Sequence, residues 1–183
     1  PAEQYAVSTG NHPNGFTDEA CVCYQGLLLA DPKNPRWAHC LAIIISGVGR
    51  LDEAIELWRF VTATDSQYVP AQVRLGDALL KANRVDEAVT VYNAVCLLNR
   101  NNPYALVGLA RVDMANAQWV RARERLELAV QESHAAIGED LLVTVYEKLG
   151  MQQNARAIVG RRKVAGTFFD PPDPWVDEIF FIF

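Results

Sequence analysis

Three pairs of neighbouring carboxylates, Asp18-Glu19, Asp52-Glu53 and Asp86-Glu87, are the first groups in this chain that could do chemistry. Adjacent acids suit general acid–base work, where one carboxyl gives up a proton while the other holds a charge. Four cysteines, Cys21, Cys23, Cys40 and Cys96, raise thiol or metal chemistry, and His12, His39 and His134 are the remaining bases or ligands. Spacing argues against each use. The acid pairs recur thirty-four residues apart, each opening an apolar helical run, where negative charge suits the N-terminal dipole. Cys21 and Cys23 would point roughly 200° apart on a helix, so they cannot share a metal or a disulfide. Cys40 could approach either of them as a thiol pair or one disulfide; the alternative is small apolar filler. No Cys-x-x-Cys or Cys-x-x-Cys-His spacing occurs, and the histidines are far apart in the chain. Without a phosphate loop, an HExxH motif or a nucleophile elbow, the chain reads as no enzyme, with no metal and no cofactor.

What positions these residues is a repeat. Ala20, Ala54, Ala88 and Ala122 keep the thirty-four-residue step, and so do Thr17, Leu51, Val85 and Trp119. Tyr24, Trp58, Tyr92 and Leu126 follow in a third register, and Leu27, Val61, Val95 and Ala129 in a fourth. A period of this length marks helix pairs that bury their apolar faces against neighbouring pairs. The pattern predicts helices over 35–48 and 51–65, 69–82 and 85–99, 103–116 and 119–132, and 137–149 and 152–163, with an incomplete pair contributing 17–30. Gly49, Asn83, Ala117 and Gly150 fall at the short turns, where glycine is the ideal left-handed cap. Asp31-Pro32 and Asn102-Pro103 separate units, because the residue before proline avoids helical angles.

Leu75-Gly76, Val85-Asp86-Glu87-Ala88 and Tyr92 resemble the signature of the tetratricopeptide repeat family. Leu41-Ala42, Gly49, Leu51-Asp52-Glu53-Ala54 and Trp58 match it in step, as do Leu109-Ala110, Ala122, Leu126 and Ala129. Leu149-Gly150 and Ala155 fit a fourth unit with one residue missing, and Gly15, Asp18-Glu19-Ala20, Tyr24 and Pro32 fit the second helix of a leading one. The resemblance implies an all-α, right-handed α-solenoid of antiparallel helix pairs with a short C-terminal capping helix. Its expected limits are an irregular segment 1–16, a half repeat 17–34, repeats 35–68, 69–102, 103–136 and 137–163, and a proline-rich linker with an aromatic tail over 164–183.

The resemblance also implies a protein or peptide partner held in a concave groove lined by the first helices. Matched position by position, the groove floor is His39, Ile43 and Ser46, then Val73, Asp77 and Leu80, then Tyr104, Val107, Arg111 and Met114. Asp77 and Arg111 occupy equivalent places, so a pair across the groove is expected. The lysine and asparagine positions that clamp a C-terminal carboxylate in some family members are not matched. An apolar peptide or helix is therefore the expected ligand. Asp113 breaks its apolar register; Arg74 or Arg111 is the expected partner of its carboxylate, with exposure by local rotation as the alternative.

The tail carries Phe168, Phe169, Trp175, Phe180, Phe181 and Phe183 around three prolines, and Asp173 with Pro174 can start a short helix. Its Pro-Asp-Pro segment is similar to the tails of some bacterial tetratricopeptide proteins, several of them secreted, so the compartment leans periplasmic or secreted without excluding the cytoplasm. Such a tail needs cover. It caps the last helix pair, inserts into the groove of a neighbouring copy, or continues into a further domain. Function then divides between a scaffold holding another protein and a structural subunit that self-associates end to end through the tail and the open first repeat. A net charge of −5 discourages nucleic acid, and no apolar run is long enough to span a membrane. Arg161-Arg162-Lys163 reads as a basic cap on the last repeat helix.

Overall fold

The computed structural model describes residues 15–132, 136–161 and 171–180, and all regular structure among them is helical. The helices are α1 (Gly15–Ala30), α2 (Pro35–Gly47), α3 (Leu51–Thr64), α4 (Val69–Lys81), α5 (Val85–Leu98), α6 (Pro103–Ala115), α7 (Trp119–Glu132), α8 (Ala136–Lys148), α9 (Gln152–Arg161) and α10 (Pro174–Phe180). The leading helix starts two residues earlier than its register predicts, at Gly15. Residues 1–14, Arg162-Lys163 and the aromatic residues Phe168, Phe169, Phe181 and Phe183 lie outside the described residues.

The repeat is visible in the turns. Gly49, Asn83, Ala117 and Gly150 all have positive φ, at 85°, 59°, 55° and 73°. Each turn closes with the same two backbone bonds, for example Gly49 N–H to Ser46 C=O and Arg50 N–H to Ile45 C=O. Asn83/Arg84, Ala117/Gln118 and Gly150/Met151 repeat them. This is the Schellman arrangement, which satisfies the last carbonyls of a helix and sends the chain back antiparallel. Helix starts are also periodic. Asn34 caps α2 and Asn102 caps α6 through their side chains, each followed by proline at the first helical position.

The chain divides into two compact units, Pro1–Arg84 with Pro172–Phe183, and Val85–Pro171. In the first, α1 packs on α2, α2 on α3 and α3 on α4. Its core includes Ala20, Tyr24, Leu41, Ala42, Ile45, Ala54, Ile55, Trp58, Val61, Leu75 and Leu79. In the second, α5 through α9 pack in sequence, around Leu106, Val107, Ala110, Ala122, Leu126, Leu142, Val145, Tyr146 and Ile158. The recurrent small residues are where helices approach most closely: Ala42, Ala54, Ala88, Ala110 and Ala122 are fully buried. Gly108 is a further close approach outside the recurrent set. A Cβ there would fall on the ring of buried Tyr92.

One expectation changes. Asp113 is buried, and its carboxylate pairs with neither Arg74 nor Arg111 but with Arg125, whose Nη1 lies 2.5 Å from Oδ2. The same Nη1 donates to the Leu109 carbonyl at 3.2 Å. Arg125 sits on the antiparallel partner helix α7, which faces α6 along its length, so the carboxylate finds its donor inside its own hairpin. The local rotation that would expose Asp113 does not occur. Of the two readings of the cysteines, apolar filler holds: all four are free, with Cys21 and Cys40 buried. Burial, reinforced by the charge of Asp173, pushes the Cys40 thiol up to about 12.

Two substitutions in unit 2 should move stability in opposite directions. Gly108→Ala forces Tyr92 out of its slot and should cost about 1–3 kcal/mol. Ala117→Gly removes the strain of a left-handed alanine and should gain about 1 kcal/mol. Urea unfolding of the two variants checks both signs, and a neutral Gly108→Ala would mean the helices are free to separate.

Candidate functional site

The repeat register itself marks the site. Where α2 and α6 are capped by Asn34 and Asn102, the equivalent position before α4 is Tyr68, which makes no side-chain cap. Where α4 and α6 carry Val73 and Val107, α2 carries His39. Where α2 and α6 carry the small residues Cys40 and Gly108, α4 carries Arg74. All three departures converge on one carboxylate, that of Asp173 in the tail.

Asp173 is 4% exposed and His39 is fully enclosed. His39 Nε2 lies 2.7 Å from Asp173 Oδ2. The Tyr68 hydroxyl donates to Oδ1 at 2.5 Å, and Arg74 Nε approaches Oδ2 at 3.7 Å. On the far side of the imidazole, the Trp58 indole N–H donates to His39 Nδ1 at 3.2 Å. Indole nitrogen is only a donor, so Nδ1 accepts and the Nε2–H donates to the carboxylate. Trp58 therefore fixes which ring nitrogen carries the hydrogen that meets Asp173.

The tail binds as a short motif. Pro174 and Trp175 follow Asp173 into α10, and the Asp173 carbonyl accepts from Val176 N–H at 3.0 Å and Asp177 N–H at 2.8 Å. Trp175 N–H donates back to the Tyr68 hydroxyl at 3.1 Å. Its indole stacks on the Tyr68 ring with centroids 3.6 Å apart and an 11° interplanar angle. It also stands edge-on to His39 at 5.9 Å, with the Arg36 guanidinium 5.7 Å from its centroid. Arg36 reaches on to Glu178 at 2.7 Å, but both side chains are about half exposed, and such a pair contributes about 0–1 kcal/mol. The buried carboxylate and the stacked ring hold the segment. The outer ion pair only trims it.

Burial pushes the Asp173 carboxyl up, yet the hydrogen bonds from His39 and Tyr68 and the Arg74 charge outweigh it and hold the group below the ordinary carboxylate value. The Tyr68 phenol moves the other way, raised by burial and by its bond to that carboxylate. Histidine, aspartate and tyrosine in one hydrogen-bonded chain resemble catalytic groups, but both imidazole nitrogens are engaged and the carboxylate is enclosed. The arrangement recognises a carboxylate and leaves no free base for a substrate.

Among the residues expected to line the groove, His39 is in this site. Ile43, Ser46, Asp77 and Leu80 are half-buried in the same unit, and Val73 is buried. Tyr104, Arg111 and Met114 are half-buried in unit 2, where Val107 is buried. The tail residue Trp175 is half-buried against Tyr68; the Phe180 side chain lies outside the described residues. Asp173, Trp175 and Glu178 thus meet Arg36 and His39 of α2, Tyr68 just before α4 and Arg74 within it, while α8 and α9 belong to the other unit. Tyr68, Arg74, Trp58, Arg36 and Asp173 were not among the expected site residues; for Tyr68 and Arg74 the departure from register is the signal, whereas Trp58 keeps its register and Asp173 lies outside the repeats. Among the described residues no group of three or more His, Cys, Asp and Glu is placed to hold a metal, and no helix is long and apolar enough to cross a membrane.

A family model described as tetratricopeptide repeat matches residues 47–104. Cellulose synthase 1 operon protein C of Komagataeibacter xylinus is 28% identical over 174 residues, which takes in 88% of this chain and 13% of that protein. The chain therefore spans a small part of this relative's length. Among solved structures, MamA 41-end from Desulfovibrio magneticus RS-1 superposes with a TM-score of 0.69 at 18% identity, covering 87% of this chain and 92% of that one. TTC0263, a thermophilic tetratricopeptide protein of Thermus thermophilus, gives a TM-score of 0.70 at 18% identity, covering 87% and 89%. At these identities the structures establish the fold.

Because the Asp173 carboxyl is held below its ordinary value of 3.8, its contribution to tail docking is complete above that pH and is lost as pH falls through the lower, docked value. Tryptophan fluorescence followed from pH 6 to pH 2 should show a transition below the ordinary value that Asp173→Asn abolishes. Superimposable curves for the two proteins would contradict a buried, ionised Asp173.

Proposed function

Because this chain is a tetratricopeptide-repeat protein, and such repeats serve as protein–protein interaction scaffolds, we propose that it acts without catalysis by holding a segment of another protein on its first-helix surface. Each unit has its own candidate surface: Ile43, Ser46, Asp77 and Leu80 in unit 1, and Tyr104, Arg111 and Met114 in unit 2. One observation carries the reading in unit 1. A peptide segment of the tail is held against Arg36, His39, Tyr68 and Arg74 of the same unit, by side-chain chemistry at Asp173 and Trp175. A bound segment of this kind is mixed in character, with an apolar body and one enclosed carboxylate, beside the apolar contacts that the groove positions imply.

A second reading has its own support. A tail that fits α2 and the start of α4 in its own chain fits the identical surface of another copy, and exchange of such an element is a low-cost route to association. Self-association would then run through the tail and the front repeats. The relative's name, with its reference to a cellulose synthase operon, is consistent with a scaffold serving a larger assembly.

One co-precipitation experiment separates the two. Tagged native chain is mixed with untagged chain and a lysate of the source cells, beside Ile43→Glu/Met114→Glu and Trp175→Ala variants. The scaffold reading expects a foreign protein whose recovery falls at least about tenfold with the glutamates, as loss of buried apolar contact predicts. Assembly expects the untagged copy to be recovered by the native chain and lost with Trp175→Ala. Recovery indifferent to all of these changes contradicts both.

A further inference from the structure

We propose, resting on the scaffold reading, that the His39–Tyr68–Arg74 socket is a receptor for an acidic residue followed by proline and an aromatic residue in a partner protein. The chain's own Asp173-Pro174-Trp175 is then the resident competitor that the partner displaces.

The socket is more than the fold requires. Helix α6 is built at the equivalent positions from Asn102, Val107 and Gly108, so a repeat of this type folds without tyrosine, histidine or arginine there. His39 is fully enclosed and Tyr68 and Arg74 are half-buried; burying polar groups is costly unless they find partners, and one carboxylate accepts from both His39 and Tyr68. Two donors lie within hydrogen-bond reach of its oxygens and a guanidinium stands 3.7 Å away. An asparagine or an apolar residue in place of Asp173 would leave the His39 Nε2–H or the Tyr68 hydroxyl without its acceptor.

The aromatic position is equally defined. Trp175 has a stacking partner in Tyr68, an edge contact with His39 and a cation above it in Arg36. Proline between acid and aromatic fixes the backbone turn that lets one tyrosine hydroxyl meet both the Asp173 carboxylate and the Trp175 N–H. The ligand class is therefore a carboxylate-proline-aromatic segment entering a helical turn.

The resident tail is suited to being displaced. Helix α10 has seven residues, too few to persist in water without its docking surface. Its outermost anchor, Arg36 with Glu178, is exposed. The tail holds the site because it is tethered, and tethering supplies an effective concentration near the millimolar range. An untethered segment of the same chemistry then meets a site that is open only a fraction of the time, and its apparent affinity falls by that fraction.

The test uses the full chain and a labelled nine-residue peptide with the sequence of residues 172–180, read by fluorescence anisotropy. Asp173→Asn/Trp175→Ala weakens the tail and leaves the socket intact. This variant should bind the peptide at least about tenfold more tightly than the native chain. Placing asparagine at the peptide's aspartate, or adding His39→Val to the variant, should remove the binding. Trp175→Ala alone, which keeps the carboxylate in place, should give an intermediate affinity and serves if the double variant loses its helical circular dichroism. Equal affinity for native and variant chains would overturn the competitor, and no binding to either folded variant would overturn the receptor. Both failures are distinct from failure of the scaffold reading, which rests on the partner lost with Ile43→Glu/Met114→Glu.

Discussion

One carboxylate taken out of water organises the front of this protein. An enclosed, ionised Asp173 is tolerable only with donors placed around it, and the molecule supplies them from two helices and a helix start far from it in sequence. His39 can donate because Trp58 holds its other nitrogen. Tyr68 can donate because it stands at a helix start where the neighbouring repeats have a capping asparagine. Remove the carboxylate and these groups lose their reason to be polar. Hydrogen bonding and stacking act on the same short motif, so the tail is recognised by chemistry as well as by apolar contact.

The solenoid beneath this site follows from repetition. Small residues allow close helix crossings, left-handed turns reverse the chain at regular intervals, and large residues fill the space between hairpins. None of this needs specific polar chemistry, which is why polar residues that break the register stand out. Asp113 in unit 2 shows the contrasting case. It too is a buried acid out of register, but its partner Arg125 lies in the same hairpin, so that pair belongs to the packing of one repeat and engages no outside segment.

The repeat was legible from the sequence because its signals are local and recur. The alanine register, the turn positions 49, 83, 117 and 150, and the helix limits all follow from nearest-neighbour packing within one period. The site was legible only in part. His39 was reached through a groove position, and Asp173 through its ability to start a helix, without any indication that the two meet across 134 residues. Periodicity describes what the repeats share, whereas Tyr68 and Arg74 matter because they differ from their counterparts. Asp113 shows a related limit of the register: the expected arginines lie on its own helix (Arg111) and on the neighbouring first helix (Arg74), whereas the donor comes from the antiparallel partner within the hairpin.

Docking of the tail depends on Asp173 and Tyr68 acting as a bonded pair in solution. The direct measurement is a double-mutant cycle by urea unfolding, using Tyr68→Phe, Asp173→Asn and the two together. A coupling of about 1–3 kcal/mol is the expected result for groups sharing one buried network. Additivity within about 0.5 kcal/mol would mean that the tail does not bring its carboxylate to the socket, and would contradict a front surface organised around Asp173.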